Sequence, residues 1–235
     1  MNQKFIMLIS GRSGSSYLRT LINQDDRALM LGEMLCGKNK SEQQKIIQNF
    51  FSNQVGNPNK LVIGFKTKLG DVINQDDFFQ ELHSHSPIII INRRKNYVKQ
   101  AISRARMLIL LDQTTKKYGQ GHHSPKHQAD IVGKINVDVD WVYRFTQDFA
   151  TRDQQLANLS DKVADSTTIF YEDFAHNPSI ATIKLSEILG MELKVTDFNT
   201  TLKNTPADLT KAIANFAELE ARLANTKYSP MLYSA

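Results

Sequence analysis

Pro87 is followed by four consecutive isoleucines, Ile88–Ile91, and then by Asn92, Arg93, Arg94 and Lys95. A β-branched run without polar alternation is a strand covered on both faces, and such strands belong to parallel sheets flanked by helices. Three further segments fit the same sheet: Lys4–Ile9 (KFIMLI), Leu61–Lys66 (LVIGFK) and Thr167–Tyr171 (TTIFY). Helical patterns separate them. One covers Ser13–Asn23, a weak one Asp77–His83, a long one about Asn96–Leu111, and the last Ile180–Leu189. This alternation implies βαβ crossovers and an α/β fold of three layers, with a central parallel sheet of four or five strands flanked by helices.

The remaining segments are helical or irregular. Val142, Phe145, Phe149, Leu156 and Leu159 recur at helical spacing, and Ile213, Phe216, Leu219 and Leu223 put an apolar face on a docking helix within Leu209–Leu223. Asp112–Val137 is polar and histidine-rich without a period, and connections of that length are often lids or binding loops. There is no internal repeat and no composition break, so a single domain over residues 1–235 is expected. No apolar run approaches the ~20 residues that span a bilayer. The apolar start falls short of the roughly 7–15 residues of a secretory core, so a soluble, cytoplasmic chain with no stable membrane insertion is expected. Cys36 is the only cysteine, which excludes an internal disulfide.

The net charge of +5 points to an anionic partner, and the placement of the cations narrows which one. In open parallel sheets ligands sit at the carboxyl ends of the strands. There the chain has Gly11-Arg12-Ser13-Gly14-Ser15-Ser16 after its first strand, Lys66-Thr67-Lys68 after the next, and Asn92-Arg93-Arg94-Lys95 after the isoleucines. Glycines let backbone approach an anion, and the opening N–H groups of the following helix point at it. Ser13, Ser15 and Ser16 add hydroxyls, and Arg12 adds a planar cation. The loop is P-loop-like, but an ATP-binding loop needs a lysine after its second glycine, where this chain has Ser15.

Four segments, in order, resemble the sulfotransferase family. The strand and GRSGSSYL are similar to its 5′-phosphosulfate loop. Asn92–Ser103 (NRRKNYVKQAIS) resembles its 3′-phosphate motif, with basic residues at a strand end and a serine within the helix. Phe170–Phe174 (FYEDF) and Asn215–Leu232 (NFAELEARLANTKYSPML) resemble its later Y-E-D strand end and its C-terminal helix and tail. The resemblance implies the donor 3′-phosphoadenosine 5′-phosphosulfate (PAPS), a product adenosine 3′,5′-bisphosphate (PAP), and a small-molecule or carbohydrate hydroxyl acceptor. By it, Arg12, Ser13, Gly14, Ser15, Ser16 and Tyr17 hold the 5′ end. Arg94 or Lys95, with Ser103, holds the 3′-phosphate, although the family's arginine position is occupied here by Lys95. Tyr171 and Lys203 are further nucleotide contacts.

For the chemistry, the resemblance makes Arg12 and Lys66 the cations on the leaving phosphate. Many eukaryotic members carry a histidine after a K-T pair as base, but here Lys68 follows Lys66-Thr67. Bacterial carbohydrate-type members use a glutamate in a G-E segment, which points to Glu33 in Leu31–Leu35 (LGEML). Its apolar flanks predict a raised pKa. No metal is required, because protein cations neutralise the donor. His122, His123 and His127 lack a ligand spacing and read as part of an acceptor-side loop over 112–137; Glu172 and Asp173 read as capping or structural residues rather than metal carboxylates. Two other classes remain open: a P-loop-type small-molecule kinase and a basic nucleic-acid- or nucleotide-binding module. Nucleic acid is not the expected partner, since no base-reading motif occurs and the cations gather at strand ends.

Overall fold

The structure is a computed structural model that describes residues 2–54, 59–121, 125, 127–160, 163, 166–199 and 204–234. The chain divides into two compact units: residues 1–93 with 154–198, and residues 94–153 with 199–235.

The first unit is built on five parallel strands, β1 (Gln3–Ile9), β2 (Ala28–Glu33), β3 (Val62–Lys68), β4 (Ile88–Arg93) and β5 (Ser166–Phe170), in the order β2-β3-β1-β4-β5. The central strand β1 alternates between two cores. Phe5, Met7 and Ile9 join residues of helices α1 (Ser15–Ile22) and α7 (Pro178–Leu189) and Phe174 of α6 (Tyr171–Ala175). Ile6 and Leu8 join residues of α2 (Lys40–Phe51), α3 (Gln75–His85) and the end of α5 (Val139–Ser160). The sheet is therefore covered on both faces, as the isoleucine run of β4 requires, and the three-layer α/β expectation holds.

Strand β2 and helix α2 are absent from the sequence reading. β2 (ALMLGE) is an edge strand without a β-branched residue, so propensity does not mark it. Helix α2 buries only Gln43, Ile47 and Phe50, too thin a stripe to stand out. Its legible signal is a capping box: Asn39 accepts from the Glu42 amide, and Glu42 accepts from the Asn39 amide at 2.9 Å.

The second unit contains α4 (Tyr97–Tyr118), the first part of α5 and α8 (Phe216–Leu223) around its own apolar core. Helix α4 runs seven residues past the expected end at Leu111, which corrects the start of the loop placed at Asp112. Thr114 and Thr115 donate their hydroxyls to the Leu110 and Leu111 carbonyls, Lys116 pairs with Asp112 at 2.7 Å, and Gly119 ends the helix at φ 70°. The docking helix is likewise shorter than Leu209–Leu223. A 3-10 turn at Leu209–Lys211 and a bridge between Ile135 and Ile213 precede α8. Arg106, 1% exposed, holds this region by donating to the carbonyls of Asn204 (2.7 Å), Gly133 (2.8 Å), Ala212 (3.1 Å) and Val132.

In the first unit Asp25, 2% exposed, fixes the turn before β2. It accepts from the Arg27 amide and guanidinium and from the Lys194 amide. The Arg27 hydrogen bond, outweighing burial, holds its carboxyl far below the usual carboxylate range. A depressed carboxyl stabilises the fold above its ordinary value of 3.8 and loses that contribution as pH falls through the folded value. Asp25→Ala is expected to cost about 2–3 kcal/mol at neutral pH, since half-exposed Arg27 can turn to water. Denaturant unfolding should show that difference at pH 7 and a narrowing gap below pH 3.8.

Candidate functional site

The loop after β1 is held in a conformation that few residues adopt. Arg12 has φ 66° and Gly14 φ 80°. For an arginine the left-handed region costs of order 1 kcal/mol or more, and the burial around it must hold that strain. Gly14 is required by space as well as by φ. A Cβ there would stand 2.7 Å from the Tyr171 ring and 3.1 Å from the Phe174 ring. The Gly14 carbonyl accepts from the Tyr17 and Leu18 amides as α1 begins, and the first amides of any helix lack an acceptor within it.

The loop's hydroxyls divide. Ser13, fully buried, donates to Asn92 Oδ1 at 2.5 Å, so its proton is committed inside the protein. Ser15 and Ser16 accept from Lys66 Nζ at 3.2 and 3.0 Å. Tyr17 donates to the Phe198 carbonyl at 3.1 Å, and its ring stacks on Phe174 at 6.2 Å. Asn92 is a supporting residue to which the sequence reading assigned no role of its own; its signal was a neutral polar residue between an isoleucine run and three cations.

Glu33 reaches this site through an irregularity in β2. Leu31 is paired with Phe65, and Glu33, not Gly32, is paired with Lys66. In an unbroken register Gly32 would pair with Lys66, and Glu33 would stand opposite Thr67 on the other face of the sheet. The bulge turns it to the face of Met30 and Lys66, where α1 packs. Its Oε1 lies 3.6 Å from Lys66 Nζ, and its Oε2 accepts a short hydrogen bond from Lys68 Nζ. Lys68, two residues along the same face of β3, also reaches Asp71 at 3.3 Å. Arg19 of α1 donates to the Met30 carbonyl at 3.1 Å and adds a like charge near Lys66. It was also missed, because one arginine on an amphipathic helix carries no sequence signal.

The expected raised pKa of Glu33 is corrected. Burial does push it up, but the hydrogen bond and charge of Lys68, with the charge of Lys66, outweigh burial and hold it below the ordinary 4.5. Apolar flanks in sequence are not the neighbours that a bulge selects in space. Burial, only partly offset by Glu33, lowers Lys66. Burial also acts against charge on Lys68, but Glu33 and Asp71 together raise it. Glu33, Cys36 and Asp71 offer ligand atoms within 4.8 Å of one another, a group that could hold a metal ion, and the Lys68 ammonium binds two of the three.

Tyr171 opens α6, packs against Gly14 and meets Phe174 edge-on at 5.5 Å. The remaining candidates lie in the second unit. Arg94 and Ser103 are each 7% exposed, and Lys95 is exposed. Asn96 caps α4 by accepting from the Lys99 amide, and its Nδ2 donates to the Met231 carbonyl at 2.7 Å and to Ser234 Oγ at 2.9 Å. Those two bonds tie the C-terminal tail to the start of the NRRKNYVKQAIS helix. Lys203, His122 and His123 lie outside the described residues. His127 precedes a 3-10 turn at Gln128–Asp130. Among the described residues no helix is long and apolar enough to cross a membrane.

No family model matches the sequence. No curated protein is a significant match either. Solved structures do match. A sulfotransferase from Alicyclobacillus acidocaldarius superposes with TM-score 0.51 at 13% identity, over 100% of this chain and 97% of the other. Mouse sulfotransferase SULT7A1 in complex with PAP superposes with TM-score 0.50 at 12% identity, over 98% of this chain and 88% of that one. Across both chains' length, then, the protein has a sulfotransferase fold.

Gly14→Ala tests the loop directly. The added methyl meets two aromatic rings at a left-handed position, so a loss of about 1–3 kcal/mol is expected in denaturant unfolding. An unchanged midpoint would mean that the rings yield and that the loop is not sterically fixed.

Proposed function

We propose that the protein is a sulfotransferase that moves the sulfuryl group of PAPS to a hydroxyl of a small-molecule or carbohydrate acceptor, in line, and releases PAP. The observation that carries this reading is the convergence of Lys66, Ser15, Ser16 and Glu33 beside the left-handed loop of Arg12 and Gly14. The residues present fit the donor. The buried Lys66 ammonium is shared among two hydroxyls and a carboxylate, an arrangement suited to an anion with a transferable group. PAP in the mouse structure supports the nucleotide class.

In this reading Arg12, Ser15, Ser16 and the opening amides of α1 hold the 5′-phosphosulfate, with Gly14 admitting it. Ser13 and Tyr17 shape the loop from behind through Asn92 and Phe198. Arg94 or Lys95, with Ser103, takes the 3′-phosphate, and Tyr171 and Lys203 are nucleotide contacts. Glu33 accepts the acceptor's proton as its oxygen bonds to sulfur. The bond from sulfur to the bridging oxygen breaks, and Lys66 and Arg12 neutralise the charge left on the 5′-phosphate. The work is mainly positioning and electrostatics, as in phosphoryl transfer. The lowered Glu33 pKa keeps the carboxylate ionised at neutral pH, and activity should fall only as pH drops below the ordinary 4.5.

PAP without metal is expected to raise the melting temperature, with about 2.7 kcal/mol of stabilisation at a hundredfold excess over Kd. ATP with magnesium should not, and polynucleotides should show no steep salt-dependent binding. Incubation with PAPS and a panel of alcohols and sugars should release PAP. Glu33→Gln should lower that rate by roughly 10²–10⁴-fold while PAP still binds. No PAP with any acceptor, together with no stabilisation by PAP, would sink the reading.

A further inference from the structure

Glu33 divides its two oxygens between two lysines of different character. Lys66, 5% exposed and bonded to Ser15 and Ser16, is fixed. Lys68 has a side chain 29% exposed and is shared between Glu33 and Asp71. Asp71 ends the 3-10 turn Leu69–Asp71 directly after β3, so it lies on the same local segment as Lys68. The ammonium can therefore leave Glu33 by side-chain rotation alone and still face a carboxylate. An acceptor hydroxyl that gives its proton to Glu33 needs a lone pair on that carboxylate, and the outer oxygen is the one that Lys68 covers.

We infer that Lys68 is a positioning residue for Glu33: it holds the carboxylate against Lys66, the lysine bonded to the loop hydroxyls, in the free protein, and withdraws to Asp71 when an acceptor hydroxyl takes its place. The inference rests on the sulfuryl-transfer reading of this site. The charged groups that bear on Glu33 are Lys66 and Lys68 from β3 and Asp71 from the following turn. Cys36 lies in the turn after β2, and Arg19 of α1 acts through Lys66. The directions of the Glu33 and Lys68 shifts agree with a tight pair.

The test has two readouts. The first is the carboxyl carbon-13 titration of Glu33 by NMR, assigned with Glu33→Gln. Lys68→Met should move the midpoint to higher pH, Lys68→Arg should leave it near the wild type, and Asp71→Asn should move it lower, because the ammonium then has one seat. The second is the slow release of PAP from PAPS with water as acceptor. Asp71→Asn should reduce it about tenfold while PAP still raises the melting temperature as in the wild type. A Lys68→Met midpoint equal to the wild type, or unchanged turnover in folded Asp71→Asn, overturns the inference. If neither PAP nor PAPS stabilises the wild type, the sulfuryl-transfer reading fails instead, and the titration still decides whether Lys68 governs Glu33.

Discussion

The first unit depends on burying β1 on both faces. Its side chains from Phe5 to Ile9 are at most 2% exposed and feed two separate cores. Burial of each such side chain is worth roughly 1.5–3 kcal/mol, so the strand as a whole far outweighs the strain of one left-handed arginine. The loop at its carboxyl end is therefore anchored from below. β3 and β4 pair with β1 on either side, and they bring Lys66 and Asn92 to the ends where the loop begins.

Charge at this edge is organised by pairing rather than by accumulation. Lys66 and Lys68 meet the Glu33 carboxylate at the ends of β2 and β3, Asp71 shares Lys68, and Arg19 adds a like charge near Lys66. Desolvation opposes charge on Glu33 and on both lysines; contact outweighs it at Glu33 and Lys68, whereas burial prevails at Lys66. The result is a carboxylate that stays ionised and a buried ammonium whose pKa is lowered, beside two serine hydroxyls. That combination suits the transfer of an anionic group, in which positive charge must be present before the reaction and must not need to be moved.

Some of this was legible in the sequence for clear reasons. Four isoleucines cannot alternate, so β4 had to be covered on both faces. Glycine at position 14 followed by serines had to be a turn into a helix. The cations after three strands had to share an edge if the sheet was parallel. What escaped was weakly encoded locally. β2 has the composition of a helix, α2 shows mainly a capping box, and the end of α4 is held by threonine hydroxyls and an ion pair. The sheet edge and the packed neighbours decide those elements, and a window along the chain does not contain them.

Glu33 draws the boundary between the two sources. Its sequence neighbours, Leu31, Gly32, Met34 and Leu35, named it as a candidate and suggested a carboxyl pushed up by apolar surroundings. Its spatial neighbours are Lys66 and Lys68, 33 and 35 positions away in sequence, brought to it by one extra residue in an edge strand. The sequence by itself determined the parallel sheet, the glycine turn and the basic strand ends, because periodicity and backbone freedom are local properties. Only the tertiary structure decided which face Glu33 turns to, that Ser15 and Ser16 rather than Ser13 face Lys66, and that Lys68 covers the carboxylate. Those follow from strand register and from the relative strength of desolvation and contact, neither of which a linear pattern carries.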